Sequence, residues 1–261
     1  GVSSRGVLTL QQSLLAPRVS GTASALGLSA DLSARLRPFA PQALQRLQQL
    51  DVRIGGINPQ ALQPGWPQAR LGLALQLAPG AGGVLDGGVS LINYQPGALS
   101  AQRLPLSLLY GPFQIRDDTL LLNNLVAELA EGRVTLNGRA SPAALALALR
   151  LDGIHSQALL AKLPSHRIGG DIRVTGSPRA PQLALALASG KLSLRGALAM
   201  PAPQQWQLQQ LQLGTGAGRL LLDGTLALGD VPQLDARGKL QALNPAAISP
   251  QLPVGNINGN F

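Results

Sequence analysis

The chain has 261 residues, of which 45% are apolar, 13% are charged and 3% are aromatic. The regular spacing of the apolar residues and the scarcity of charged residues exclude a disordered chain. The shortage of aromatic side chains argues against an ordinary globular core. The net charge of +9 reflects few acids rather than many bases. The arginines are scattered singly without stacking aromatics, so we expect no nucleic-acid partner, and weak attraction to anionic lipid is the better expectation.

The chain contains no cysteine, which excludes disulfides and thiolate metal sites. No apolar run approaches the length of a membrane-spanning helix, and no signal peptide is visible. The chain opens on Gly1 and stops at Phe261 as an alternating pattern restarts. We therefore expect a piece of a longer protein, with any anchor or targeting segment outside it.

The dominant pattern along the chain is an apolar residue, mostly leucine, at every second position. It begins in VLTL (7–10) and recurs in RLGLALQLA (70–78), AALALALRL (143–151), PQLALALAS (181–189), KLSLRGALAM (191–200) and RLLLDGTLALG (219–229). Leucine and alanine favour helices intrinsically, but a period of two gives one apolar face only in an extended strand. The pattern therefore predicts strands that are apolar on one side and small or polar on the other.

Turn residues separate these strands. They lie in the segments LAPGAGG (77–83), LNGRASP (136–142), TGSPRAP (175–181) and LGDVPQ (228–233). Short turns leave little room for crossover helices, so we predict an antiparallel meander rather than a parallel α/β sheet. One longer helix is predicted over residues 40–50, where Pro41 stands early and three leucines are spaced three apart.

One sequence motif, referred to below as the corner phrase, occurs three times along the chain. We interpret each copy as a corner, that is, a segment in which the chain leaves one group of strands, makes a turn and enters the next group. We place the corners at residues 54–73, 151–170 and 240–259. Aligned on Gly56, Gly153 and Ala242, the copies are 97 and 89 residues apart. Such a period is typical of an elongated array of units that lean on their neighbours, so residues 1–261 are predicted to form one continuous repeat-built section.

Each corner is expected to contain a short helical turn. Its start falls at Asn58-Pro59, His155-Ser156 and Asn244-Pro245, where Asn or Ser caps free amides and Pro fits the first turn. A proline then follows Trp66, Leu163 or Leu252, and a new strand begins at Leu71, Ile168 or Ile257.

A sheet with one long leucine face must hide that face under a second sheet, under helices, or by curling around its own interior. Helices are too few here. A two-sheet sandwich remains an alternative, although its core usually needs bulky aromatic residues. A sheet bent into a trough leaves an apolar groove that suits fatty acyl chains, since burying each CH₂ is worth roughly 0.8 kcal/mol.

We therefore predict an all-β fold: an elongated, curved antiparallel sheet forming a taco-like trough with a hydrophobic groove. The leucines predicted to line the groove are Leu71, Leu73, Leu75, Leu77, Leu145, Leu147, Leu149, Leu183, Leu185, Leu187, Leu192, Leu194, Leu198, Leu220, Leu222, Leu226 and Leu228.

The chain also resembles a known family. The corner phrase, the segment NYQPGALSAQRLPL (93–106), the strand entry from Gly176 to Leu183 and the terminal LPVGNINGNF are together similar to the TamB family of the AsmA-like group. The resemblance covers essentially the whole chain. No single motif is specific to the family; the combination and the repeat are.

The resemblance implies a periplasmic protein of Gram-negative bacteria, anchored in the inner membrane through a part outside this chain. Its implied work is to carry phospholipid along a hydrophobic groove towards the outer membrane. It also implies a role in outer-membrane protein or autotransporter assembly with a TamA-like partner, contacted through parts outside this chain.

Residues typical of catalysis or cofactor binding do not form recognisable constellations, so we expect no enzyme, no cofactor and no metal site. His155 and His166 are interpreted as structural or exposed, with His155 at a capping position. Asp117-Asp118 is interpreted as a turn between strands, and Trp66 and Trp206 as plugs of a corner or groove end, with lipid contact as the alternative.

Three functions remain open from the sequence. The leading one is a lipid-conducting groove. The second is a rigid spacer or a chaperone surface that handles unfolded strands by edge pairing, and the third is a sandwich-type binding module.

Overall fold

The computed structural model describes residues 4–25, 27–40, 46–159, 161, 164–216, 218–228, 233–247 and 251–261. In this part the chain is nearly all β. The seventeen strands are β1 (Ser4–Gln11), β2 (Arg18–Ala25), β3 (Leu28–Leu36), β4 (Leu47–Ile57), β5 (Leu71–Pro79), β6 (Leu85–Asn93), β7 (Leu106–Arg116), β8 (Thr119–Leu129), β9 (Gly132–Ala140), β10 (Leu145–His155), β11 (Arg167–Ser177), β12 (Ala180–Ser189), β13 (Leu192–Ala202), β14 (Gln205–Thr215), β15 (Arg219–Ala227), β16 (Gln233–Leu243) and β17 (Ile257–Asn260).

Helical structure in the described residues is brief. The α-helices are α1 (Pro59–Leu62) and α2 (Ser156–Leu159), and short 3-10 helices span Ala81–Gly83, Leu99–Ala101 and Pro245–Ala247. One helical turn therefore falls in each of the three corners. The predicted class, an open antiparallel β-sheet with short helices at the repeated corners, is confirmed.

The chain divides into two compact units. The first unit comprises residues 1–137 and 158–161, and the second comprises residues 138–157 and 162–261. The boundary falls inside β9, after Asn137. The prediction of one continuous section from 1 to 261 stays a prediction.

The first unit is a meander in which consecutive strands from β1 to β8 pair antiparallel. Most of its core lies between β5 and β9. Phe113, which is 8% exposed, packs against Gly87 on the neighbouring strand. A Cβ at Gly87 would collide with the Phe113 ring, so the missing side chain makes room for one of the few large apolar plugs.

The second unit is a meander from β10 to β17, again with consecutive strands antiparallel. In its described residues, the buried hydrophobic side chains are Ile154 and Leu243, and both lie at corners. Its leucine-rich strands are therefore only half-buried. That burial is too sparse for the packed core of a sandwich.

The predicted helix over residues 40–50 is wrong for its second half. Strand β4 starts at Leu47, and residues 41–45 lie outside the described part. Leu50, Val52 and Ile54 alternate along β4, and β4 pairs with β3 on one side and β5 on the other. The three-residue leucine spacing suggested a helix, but pairing with two flanking strands overrides that local preference.

Turns are found within three of the four predicted segments, but the flanking strands extend into each of them. β5 continues through Pro79, β9 continues through Ala140, and only residues 178–179 of the segment 175–181 lie between β11 and β12. The fourth segment, 228–233, lies mostly outside the described residues. The Asp117-Asp118 turn is confirmed: β7 ends at Arg116, β8 begins at Thr119, and Asp117 has a φ of 51°. Asp tolerates this left-handed conformation better than most residues.

Candidate functional site

Strand register in the second unit collects eight of the predicted lining leucines into rows. The others on its strands have different partners: Leu145 opposes Gly176, Leu192 opposes Ser189 and Thr215, Leu222 opposes Leu211 and Gly238, and Leu226 opposes Trp206 and Leu234. Directly opposed residues in a sheet point to the same face, so each row marks one apolar line across the strands. The rows run Leu147–Val174–Leu183–Leu198–Leu208, Leu149–Ile172–Leu185–Gly196, and Leu151–Gly170–Leu187–Leu194–Leu213–Leu220–Leu240.

The first unit carries equivalent rows through β5, where Leu71, Leu73, Leu75 and Leu77 were predicted to line the groove. The rows run Ala30–Ile54–Leu73–Leu91–Leu109–Ala127, Leu32–Val52–Leu75–Val89–Gly111, and Val19–Ala34–Leu50–Leu77–Gly87–Phe113–Leu122. In both units, residues far apart in sequence thus form one apolar face.

Side-chain burial alternates along the strands in step with the apolar residues. Along β12, Leu183, Leu185 and Leu187 are half-buried, whereas the alanines between them are exposed. Two predicted lining residues differ from the rest. Leu71 is buried at 7% exposure, and Leu228 lies past the end of β15 with 43% exposure, so Leu228 is not part of a strand. Whether the leucines line a groove stays a prediction.

Each of the three corners begins with a β-bulge, a feature that the repeated sequence motif did not predict. The ladder register shifts between Ile54 and Ile57, between Leu151 and Ile154, and between Leu240 and Leu243. Within these bulges Gly56, Gly153 and Ala242 have φ values of 76°, 64° and 48°. The residues used to align the copies are thus the left-handed positions of three equivalent β-bulges, which redirect the chain out of the sheet.

A side-chain hydrogen bond then closes each corner. Asn58 Oδ1 accepts from the Gln60 and Ala69 amides at 3.3 and 3.4 Å. Asn244 Oδ1 accepts from the Ala246 and Gly255 amides at 3.2 and 3.3 Å. Both bonds to the far residue reach eleven positions along the chain, so the same bond fixes the corner exit in both copies.

The middle corner uses a different residue for this bond. Ser156, which is 3% exposed, accepts from the His166 amide at 2.9 Å and donates to the Pro164 carbonyl at 2.5 Å. His155 instead ends β10, and its Nε2 lies 3.0 Å from Ser165 Oγ. Ser156 is the first residue of α2, and its two side-chain hydrogen bonds join the corner exit rather than the amides of that helix. The capping position expected for His155 stays a prediction.

In the first unit, the connection between β6 and β7 covers the corner. This twelve-residue stretch, 94–105, pairs with the corner exit: the Gln68 amide donates to the Gln102 carbonyl, and the Leu104 amide donates to the Gln68 carbonyl. Asn93, 4% exposed, anchors both ends of the stretch. Its Nδ2 donates to the Leu104 and Leu106 carbonyls, and its Oδ1 accepts from the amides of Arg70 and Gln95.

In the second unit, the equivalent connection from β12 to β13 is only Gly190-Lys191. A cavity of about 220 Å³ lies beside this corner. Its wall is almost wholly apolar and includes Ser156, Pro164, His166, Ile168, Leu187, Leu192, Leu194 and Leu213. The Nε2 atom of His166 is buried without a hydrogen-bond partner and contributes almost no surface to the cavity.

A second, polar cavity lies at the ends of β13–β16 in the same unit. Lys191 and Arg219 supply its positive charge, and Ser193 belongs to the walls of both cavities. The Arg219 Nε donates to Gln241 Oε1, which holds the guanidinium across the strand pair. Ser193, Gly214, Arg219 and Gln241 are directly opposed across β13–β16, so the polar cavity lies on the face opposite the row that contains Leu194 and Leu213.

Other residues considered from the sequence are not brought together. In the described part of the chain, no cluster of three or more His, Cys, Asp or Glu side chains is placed to hold a metal ion. Trp66 is 50% exposed in its corner, and Trp206 is half-buried opposite Leu226. Among the described residues, no helix is long and apolar enough to cross a membrane.

Sequence reasoning missed Asn93 and the buried nitrogen of His166, and it expected Ser156 to cap a helical turn rather than to bond the corner exit. For Ser156 and His166 a signal was present, since both lie in a corner copy whose first version carries Asn58 and Ala69. Asn93 gave none, because its partners lie in a loop without periodic pattern. No protein-family model, no curated protein and no solved structure matches the chain.

Proposed function

We propose that the chain is a section of a bridge-like lipid-transfer protein that conducts phospholipid acyl chains along its leucine face. The observation that carries the proposal is the set of cross-strand leucine rows, which are continuous within each unit yet mostly only half-buried.

An apolar face that the protein leaves unfilled favours an apolar ligand. Water tolerates a contiguous apolar surface badly, and each acyl CH₂ moved onto it gains roughly 0.8 kcal/mol. Because the rows run across many strands, an acyl chain would find a similar apolar surface from one strand to the next. That property suits movement along the sheet better than a single deep pocket does.

The resemblance to the TamB family supplies the proposed setting. There the protein works in the periplasm of a Gram-negative bacterium, with an inner-membrane anchor and a TamA-like outer-membrane partner, both reached through parts outside this chain. It delivers phospholipid towards the outer membrane and supports outer-membrane protein assembly.

The test compares two adjacent residues of β12 that point to opposite faces. Leu185 is half-buried and opposes Ile172 and Gly196, whereas Ala184 is exposed. A photoreactive residue at position 185 should crosslink to phospholipid, and one at position 184 should not. Leu185→Asp should keep the fold and lower lipid transfer between vesicles at least tenfold, because a carboxylate interrupts the apolar rows.

Ala184→Asp is the matched control and should transfer lipid at the wild-type rate. Equal crosslinking from both positions, or undiminished transfer by a folded Leu185→Asp protein, would contradict the lipid function. Circular dichroism of both variants establishes that each is folded.

A second function, a chaperone surface for unfolded strands, is favoured by β1. Its apolar side chains are among the most exposed in the described residues: Val7 at 61%, Leu8 at 72% and Leu10 at 60%. A strand of this kind can accept another strand by edge pairing. Suppression of aggregation of an unfolded outer-membrane β-protein, lost in Leu8→Asp but retained in Leu185→Asp, would favour this function over lipid conduction.

A further inference from the structure

The polar cavity at the ends of β13–β16 is lined by positive charge and by hydrogen-bond donors. Lys191 and Arg219 contribute the charge, Ser193 a hydroxyl group and Gln212 a carboxamide, and the described residues of its wall include no carboxylate. Its volume of about 570 Å³ lies within the roughly 300–1,000 Å³ of ligand pockets. A recess with this wall attracts an anion.

Glycines form one side of the cavity and keep it free of side chains. A Cβ at Gly214 would lie 2.6 Å from Ser193 Oγ, and a Cβ at Gly218 would collide with a carbonyl oxygen of β16. Gly216 has a φ of 83°, in the left-handed region that favours glycine. The Thr215 amide and Oγ1 both donate to the Gly218 carbonyl, at 2.8 and 3.2 Å. A ligand can therefore approach the backbone closely, beside a turn that is already ordered.

The two cationic side chains are directed across this side of the cavity. The Arg219 Nε donates to Gln241 Oε1 on the neighbouring strand, so the terminal NH₂ groups of the guanidinium remain available to a ligand. The aliphatic stem of Lys191 passes over Gly216, where its Cδ lies 4.0 Å from the position of an added Cβ. A guanidinium held in one orientation loses less conformational freedom when it binds an anion.

The surrounding face adds further positive charge. Arg195 and Lys239 each lie two residues along a strand from a wall residue, at a distance of about 7 Å. The carboxylates on this face already have cationic neighbours: Asp171 lies 3.9 Å from an arginine of β10, and Asp223 is directly opposed by an arginine of β16. The charge of the cavity is therefore not neutralised by the sheet around it.

We propose that this cavity is a phosphate-binding site, in which Arg219 and Lys191 bind the oxygens of a phosphate group and Ser193 donates a further hydrogen bond. A phosphate group matches the wall because it carries up to two negative charges and accepts hydrogen bonds from several directions, including the two parallel bonds of a guanidinium. The cavity lies on the face opposite the leucine rows, so the inference does not depend on the proposed lipid function. The phosphate group belongs either to a soluble phosphate compound or to the headgroup of an anionic lipid, and the experiment distinguishes these sources.

The first arm of the experiment titrates the protein with inorganic phosphate and follows the backbone amide resonances by NMR. The amides of Gly214, Gly216 and Gly218 should shift in a saturable manner. Arg219→Gln should weaken binding about tenfold, as loss of a charged hydrogen-bond donor allows, and Lys191→Gln about threefold. Arg219→Lys keeps the charge but loses the fork, and should still weaken binding about threefold.

The matched control is Arg179→Gln. Arg179 is an exposed arginine in the turn between β11 and β12, at the opposite ends of the strands, and its loss removes the same charge from the same unit. This variant should bind phosphate within about twofold of the wild type, because a distant exposed charge is screened by salt. All of these substitutions are at exposed positions, so the melting temperature should stay close to that of the wild type.

The second arm measures binding to vesicles of phosphatidylcholine alone and to vesicles of phosphatidylcholine and phosphatidylglycerol in equal amounts. Binding to the mixed vesicles only, lost in Arg219→Gln and retained in Arg179→Gln, would identify a lipid headgroup as the source. Phosphate-induced shifts without vesicle binding would identify a soluble phosphate compound. Absence of saturable glycine shifts would overturn the proposal. Equal weakening by Arg179→Gln and Arg219→Gln would also overturn it, because net charge rather than the cavity would then attract the ion.

Discussion

The corners at 54–73 and 151–170 make the same turn but differ in what lies beside it. Both use a left-handed glycine in a bulge, Gly56 or Gly153, and both fix the exit with a side-chain oxygen. In the first unit the adjacent β6–β7 connection is residues 94–105, which pair with the corner exit. In the second unit the corresponding connection is two residues long, and a cavity lies there instead.

This difference shows that the corner and its cover are separate elements. The bulge and its hydrogen bond are local and need no contribution from the neighbouring hairpin. The length of that hairpin then decides whether the space beside the corner is filled by the chain's own backbone or remains open to a ligand. A filled corner is suited to stability, and an open one to binding.

The largest effect is expected from removing the anchor of the covered corner. Asn93→Ala deletes four hydrogen bonds and leaves the Leu104 and Leu106 carbonyls without their side-chain donor. We expect the free energy of unfolding to fall by about 3 kcal/mol, because buried unpaired groups retain their desolvation penalty. Urea unfolding measures the loss, and hydrogen exchange at the Leu104 amide should quicken.

The exposed Asn123, on β8, gives the matched control: Asn123→Ala should change stability by less than about 0.5 kcal/mol. If Asn93→Ala is as mild as this control, the cover is not held by its anchor, and the contrast between the two corners loses its main support.

A smaller effect should distinguish the two glycines. A Cβ at Gly56 would collide with the Gly27 carbonyl oxygen, whereas at Gly153 its nearest neighbour would be Arg167 Nη1 at 3.7 Å. Both substitutions cost about 1 kcal/mol for the left-handed backbone, and Gly56→Ala adds steric repulsion for a total of roughly 2–3 kcal/mol. Thermal unfolding of the pair measures this ranking, and equal losses would show that Gly27 yields without cost.

The smallest effect concerns the third corner, where Ala242 already occupies the left-handed position with a φ of 48°. Ala242→Gly should stabilise the protein by about 0.5–1 kcal/mol, since relief of strain exceeds the added freedom of the unfolded chain. Ala236→Gly, at a half-buried position in the same strand, is the control and should destabilise. A destabilised Ala242→Gly protein would mean that the three bulges are not equivalent.

The features that depend on local sequence patterns, the strands and the corners, could be predicted from the sequence. Alternating leucines located most strands, and the repeated phrase located all three corners because cap, proline and strand entry lie within about twenty residues. The helix expected over 40–50 failed because Leu47 and Leu50 face partners on β3, and a short sequence window contains no information about them.

The candidate site was predictable only in part. The leucine rows follow from alternation once register is known, but register depends on bulges such as the one between Leu208 and Leu211. The cavity depends on the absence of a long connection at Gly190-Lys191. The unpaired state of the buried His166 Nε2 depends on which groups its ring fails to reach. Both features depend on how distant segments pack together, so they cannot be predicted from individual residues.

The strictly sequential pairing of strands also has a kinetic consequence. Within each unit a strand's partners are the strands before and after it in the chain, as when Leu183 opposes Val174 on one side and Leu198 on the other. Such a sheet can nucleate at any hairpin and grow one strand at a time, with little loop-closure entropy at each step. Folding can therefore keep pace with a chain that emerges gradually from its amino-terminal end.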